Sequence, residues 1–253
     1  MAWLRHWGSR MMFVRLLVCV LAFSVACVAQ AQEPIKGDVR LVSEEWLDYT
    51  NADGSGLAWD IMREVFKPLA GEVKFSIVPY TRSVGLVQRG EADAWMGAYR
   101  NEVVQGVIYP KNHYDQDQIC ALTLAGRVAP TLETLGNFRL VWMRDYKYDR
   151  YLPNVQHYRE ILKRGGILGM LDYNHADAFL DAQPEIEQVL SDTDHPEKYT
   201  MTCLQKLPNY PGFTDSPRGR ALAEFYDQRI DELRKNGTLQ SIFKRWDWPY
   251  PFD

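Results

Sequence analysis

Apolar and polar positions alternate through Val39-Arg40-Leu41-Val42 and again through Val73-Lys74-Phe75-Ser76-Ile77-Val78, the two-residue period of strands. Between these runs the period changes. From Leu57 to Leu69, Trp59, Met62, Val65 and Phe66 fall on one helical face, and Pro68 stands near the end. The stretch before it, Trp46 to Gly56, is rich in turn residues and reads as a loop. Arg82 to Arg89 follows as a short helix closed by Gly90, and Ala92-Asp93-Ala94-Trp95-Met96 as a buried strand ending at Gly97. Strand, helix, strand, helix, strand in this order predicts a parallel sheet with helices packed on it.

A long extended run covers residues 116 to 125, and the pattern then restarts. Leu132 to Leu135 reads as a short helix and Arg139 to Met143 as a strand. Val155 to Arg164 reads as a helix stopped by Gly165-Gly166. Ala176-Asp177-Ala178-Phe179-Leu180 repeats the texture of Ala92 to Met96. Two similar α/β units in tandem predict two lobes, each with a crevice at its strand ends. The tail is helical: Ser216 caps a helix with Pro217 at its first position, Asn236-Gly237 closes it, and Leu239 to Trp246 forms a last short amphipathic helix.

The N-terminus changes the picture from fold to address. Arg5, Arg10 and Arg15 are basic, no acid precedes Glu33, and the apolar run Leu16 to Phe23 leads to Ala29-Gln30-Ala31. This is the layout of a signal peptide cleaved after Ala31, which places the mature chain in the periplasm. The run is short for a membrane anchor, and Ser24 argues against acylation at Cys27. Of 29 basic and 33 acidic residues, three arginines and no acid lie before residue 32, so cleavage shifts the formal charge from −4 to −7. Such a chain offers no basic field to nucleic acid or anionic lipid.

Cys120 and Cys203 remain after that cleavage. An oxidising compartment permits a disulfide between them, while two separate buried thiols are the alternative. No phosphate loop, dinucleotide fingerprint, nucleophile elbow or HExxH helix is present, so no cofactor, metal or catalytic residue is assigned. His113 with Asp115 and Asp117 is the one tempting cluster; its spacing fits no metal pattern and it reads as a polar loop.

Several segments together resemble family 3 of the bacterial extracellular solute-binding proteins, the amino-acid-binding type with the type II periplasmic binding fold. They are Gly56 to Ile61, Val78-Pro79-Tyr80-Thr81-Arg82 with Leu86 to Asp93, Val107 to Pro110, His175 to Asp181, and Lys235 to Ile242. The resemblance implies an α/β protein of two lobes, each a mostly parallel sheet flanked by helices, joined by two crossover hinge strands. Lobe 1 would be residues 32–122 with 204–253, and lobe 2 the insertion 123–203. The runs around Cys120 and Cys203 would be neighbouring crossovers, which brings those cysteines together as a disulfide. It further implies a monomer, not an enzyme, that closes on a small-molecule ligand and hands it to an ABC permease; reporting to a membrane sensor is the alternative.

In such a protein an arginine grips the ligand's carboxylate and an aspartate its amine. The family's Thr-x-x-Arg is missing here; Arg100, soon after Gly97, is the candidate in its place, with a surface arginine paired to Glu102 as the alternative. Arg82 is a second anion contact or else a solvated helix residue. Asp181 matches the amine-accepting aspartate. Arg144 follows the strand Arg139 to Met143, where a small anion-binding turn is expected. Trp46, Tyr80 and Tyr99 are candidate aromatic walls, and Trp142 reads as core.

Overall fold

The computed structural model describes residues 35–252; the signal-peptide reading lies outside them. Their elements run β1 (Val39–Ser43), α1 (Leu57–Phe66), β2 (Val73–Ile77), α2 (Tyr80–Gln88), β3 (Ala94–Ala98), β4 (Val107–Ile108), β5 (Asp115–Leu124), β6 (Arg139–Met143), β7 (His157–Ile161), α3 (Ile167–Asp172), β8 (Ala178–Ala182), α4 (Gln183–Ser191), β9 (Tyr199–Thr214), α5 (Pro217–Lys235) and α6 (Thr238–Arg245). They build a mixed sheet in the order β2-β1-β3-β9-β5-β8-β6-β7, with β4 also pairing β9. Among the described residues no helix is long and apolar enough to cross a membrane.

Parallel pairs lie at the two ends: β1 with β2 and β3, and β6 with β7 and β8. Antiparallel β5 and β9 join them. Both ends use the same local device. Asp93, just before β3, accepts the Arg40 backbone N–H at 2.8 Å and pairs with the Arg40 side chain; Asp177, just before β8, does the same for Arg139, also at 2.8 Å. The carboxylate thus fixes the start of each parallel pair by charge-assisted hydrogen bonds.

Helices α1, α5 and α6 pack with one end of the sheet around buried Trp59, Met62, Phe66, Tyr226 and Phe243. Each such side chain contributes about 1.5–3 kcal/mol on leaving water. Ser216 caps α5, its side chain accepting from Gly219 N–H at 3.0 Å. A Cys120–Cys203 disulfide ties β5 to β9.

Two expected helices are corrected. Residues 155–164 form the edge strand β7 and a single 3₁₀ turn at Arg164–Gly166. Their apolar positions satisfy either period, and pairing decides: His157 to Ile161 align with Arg139 to Met143, and Tyr158 stacks on Trp142 at 4.2 Å. The helix expected at Leu132 to Leu135 is instead a 3₁₀ turn at Leu135–Asn137, preceded by a Thr131–Thr134 hydrogen-bonded turn. Helices α3 and α4, each under ten residues, carry too little periodic signal to be read from sequence.

Candidate functional site

Strands β5, β8 and β9 bring Asp117, Asp181 and Asn209 to one cavity, and β3 brings Gly97. Its wall comprises Trp46, Leu47, Tyr49, Tyr80, Gly97, Tyr99, Asp117, Tyr146, Tyr148, Asp181, Ala182, Pro184, Glu185, Asn209 and Trp248. About 50 Å³ is open there to the centre of a water-sized sphere, so the cavity admits water and a small solute.

The wall is an almost continuous aromatic surface. Trp248, Tyr49, Trp46, Tyr80, Tyr146, Tyr148 and Tyr99 follow one another in ring contact, with centroids 5.4–6.3 Å apart. Gly97 makes this possible. Its φ is +77°, and a Cβ there would meet the Trp46 ring at 2.6 Å, so only glycine lets the indole lie across the end of β3. Tyr80 is held from behind, where its hydroxyl donates to Glu102 and accepts from Trp95 Nε1 at 3.3 Å.

Three carboxylates line the cavity, Asp117, Asp181 and Glu185, in different states of compensation. Asp181, with no exposed surface, accepts from Arg164 Nε at 2.8 Å and from the Ala182 N–H at 2.9 Å. Arg164 also reaches Glu185 at 3.2 Å and Glu44 at 3.8 Å, and donates to the Tyr146 hydroxyl at 2.8 Å. Burial works against its charge, but these acids outweigh burial and raise its pKa. Burial, reinforced by Asp181 and Glu44 and opposed by Arg164, lifts Glu185 to about 7.

Asp117 has only neutral donors, Tyr99 Oη at 2.6 Å and Asn209 Nδ2 at 2.7 Å. Among the described residues no cationic side chain pairs with it. Burial pushes its pKa up to about 6, against the pull of those two hydrogen bonds. Behind it Asp115 is buried, with Oδ2 unpartnered, and is raised by burial and then by the Asp117 charge.

One contact joins wall residues across the cavity and others lie outside the wall. Trp46 Nε1 donates to the Tyr146 hydroxyl at 3.3 Å, Thr81 Oγ1 to Asp145 at 2.8 Å, and Arg150 Nη1 to the Glu102 carbonyl at 2.8 Å. The Tyr151 hydroxyl donates to the Arg100 carbonyl at 3.2 Å.

Of the residues singled out in the sequence, Trp46, Tyr80, Gly97, Tyr99 and Asp181 stand on this wall. The three arginines do not. The chain turns at Asn101 (φ +66°), and the Arg100 guanidinium donates to the Pro110 and Lys111 carbonyls while lying over Tyr210. Arg82 is exposed on α2, and Arg144 is exposed, its backbone N–H continuing the β7 ladder to Ile161. The expectation that Arg100, Arg82 or Arg144 lines the cavity is therefore corrected. Glu102 is not a surface partner of Arg100; it is buried behind Tyr80 and Tyr99. Sequence reading missed Glu185, Asn209 and Arg164, and it singled out Asp117 only within a cluster set aside as a polar loop. It also left His113 in a polar loop; His113 leads into β5, stacked on Phe252 at 4.8 Å.

No protein-family model matches the sequence, and no curated protein matches it. Solved structures do match in fold. The substrate-binding protein of an amino acid ABC transporter is 12% identical, with a TM-score of 0.66 over 83% of this chain and 99% of that one. An ancestral arginine-binding protein bound to glutamine is 15% identical, with a TM-score of 0.66 over 83% and 98%. The ligand-binding core of GluR0 in complex with L-glutamate is 14% identical, with a TM-score of 0.64 over 82% and 97%. The chain thus has the mixed α/β fold of the type II binding proteins, matching substrate-binding proteins of amino-acid ABC transporters over nearly their whole length.

Proposed function

We propose that this chain is a periplasmic solute-binding protein that captures a small polar, amine-bearing solute between two lobes and delivers it to an ABC permease. Lobe 1 is residues 32–122 with 204–253 and lobe 2 is residues 123–203; β5 and β9 are the hinge, and the protein works as a monomer. The observation that carries this reading is Asp117, a carboxylate facing an aromatic cavity with no cationic side chain paired to it among the described residues. A buried carboxylate without a counter-charge is costly, and a solute's ammonium group supplies one. Supporting it are the contacts from Trp46, Thr81 and Arg150 between those lobes, which a hinge movement would make and break together. The fold of the matched binding proteins agrees with this role and does not by itself assign it.

A thermal-shift screen of the purified chain against amines, sugars and small organic acids tests the reading. Ligand at 100 times its dissociation constant adds about 2.7 kcal/mol to stability, several degrees for a chain of this size. The expected hits are amines. Stabilisation by sugars or organic acids alone would exclude an amine-bearing solute. An intact mass of the exported protein beginning at Gln32 checks the compartment.

A further inference from the structure

We infer that the solute is a small organic cation without a carboxylate, an alkyl- or quaternary ammonium rather than an amino acid. The inference rests on the solute-binding reading above and narrows its ligand.

An amino acid carries two charges, and its carboxylate needs a fixed cation or a cluster of free N–H groups. Among the described residues, none of those lining the cavity is a lysine or an arginine. Arg164, whose guanidinium meets the wall residues Asp181, Glu185 and Tyr146, is already committed to them and to Glu44. Two helix starts border the cavity and neither offers an anion much. At α4, Pro184 has no N–H and Glu185 sets its own negative charge in the first turn. At α2, which begins at Tyr80, the Tyr80 N–H is taken by the Glu44 carboxylate. An incoming carboxylate would instead face Asp117, Asp181 and Glu185.

A cation meets the reverse situation. Asp117 supplies a charge balanced only by neutral donors, and the tryptophan and tyrosine rings present π-faces, the pairing that holds ammonium groups.

Calorimetric titration of the wild-type chain with ethylammonium, ethanolammonium and tetramethylammonium, against glycine, L-alanine and acetate, decides the matter. At least one carboxylate-free cation is expected to bind ten times or more tighter than either amino acid, with acetate silent to 10 mM. Asp117→Asn, shown to be folded by circular dichroism, is expected to weaken that cation at least tenfold. Tighter binding of glycine or L-alanine than of every carboxylate-free cation overturns the inference and leaves the solute-binding reading standing. Wild-type affinity in folded Asp117→Asn overturns the assigned partner and with it the inference. Silence from all six probes at 10 mM overturns both the inference and the reading beneath it.

Discussion

Asp117 and Asp181 face the same cavity from the adjacent strands β5 and β8, and they differ in what balances them. The Arg164 guanidinium balances Asp181; two neutral donors balance Asp117. With its pKa lifted to about 6, Asp117 in the empty cavity is largely protonated at pH 5 and ionised at pH 8. Only the ionised form attracts a cation. Affinity for the best ammonium probe is therefore expected to fall about tenfold per pH unit below pH 6 and to level off at higher pH. Titration calorimetry from pH 5 to 8 measures this, and Asp117→Asn should flatten the profile; a slope that survives the substitution would assign the effect to another group. The sequence made the apolar part of this site legible, because Trp46, Tyr80 and Tyr99 flank strand ends where ligands of α/β sheets sit. It did not reveal the direction of a side chain after a turn. Arg100 follows Tyr99 immediately, yet the left-handed Asn101 sends the chain back over Tyr210. For Asp117 the period gave no direction: Ile119 and Ala121 at odd positions and Cys120 and Leu122 at even positions are all buried, so β5 is packed on both faces. Asp117 falls both in the extended run 116 to 125 and in the cluster with His113 and Asp115, and neither reading turns it toward the cavity.

At the scale of elements, the Ala-Asp-Ala segments were the strongest clue to the fold, and their meaning becomes clear in the hydrogen bonds. Asp93 and Asp177 each clamp an arginine at the start of the neighbouring parallel strand, and the N–H of each donates to that arginine's carbonyl at 2.8 and 2.9 Å. The same small-acid-small motif thus sets the register at both ends of the sheet. Segment 155–164 was illegible for the opposite reason: its few apolar residues fit periods of 2 and 3.6 alike, and only the partner strand β6 discriminates. Strands β5 and β9 are joined by backbone bonds along nearly their whole length and by Cys120–Cys203, which spans 83 residues. Closing so long a loop restricts the unfolded chain, and removing such a bridge typically costs about 2–5 kcal/mol. The double variant Cys120→Ala/Cys203→Ala is expected to unfold about 5–15 °C lower at about 2–4 °C per kcal/mol for this size. Differential scanning calorimetry of wild type with and without reductant should show a comparable drop. No change in either experiment would place the stability of this pair in the backbone ladder alone.

For the whole molecule, the buried acids around the cavity make stability depend on pH in an unusual direction. Glu102, packed behind Tyr80 and Tyr99, is raised by burial to about 7, its hydrogen bonds from Tyr80 and the Tyr99 N–H opposing the shift. Asp117, Asp115 and Glu185 are raised as well. An acid whose folded pKa lies above its unfolded value holds its proton more tightly in the native state. Between the unfolded value, near 4.5 for Glu102, and the folded value of about 7, the unfolded chain therefore gives up the proton first. Stability falls with rising pH across that window and is flat above it. Asp93 and Asp177 work the other way: hydrogen bonds from Arg40 and Arg139 lower their pKa values, and the stability they contribute is lost only as pH drops below the ordinary carboxylate range. The ligand-free protein should consequently be most stable near pH 5 and lose stability toward pH 8. Denaturant unfolding at pH 5, 6, 7 and 8 measures the slope. Glu102→Gln keeps the shape of the contact and cannot ionise, so its slope between pH 5 and 7 should be visibly smaller than that of wild type. Equal slopes in the two proteins would mean that Glu102 titrates normally and that its burial is relieved in solution, with the Tyr80 side of the cavity opening to water.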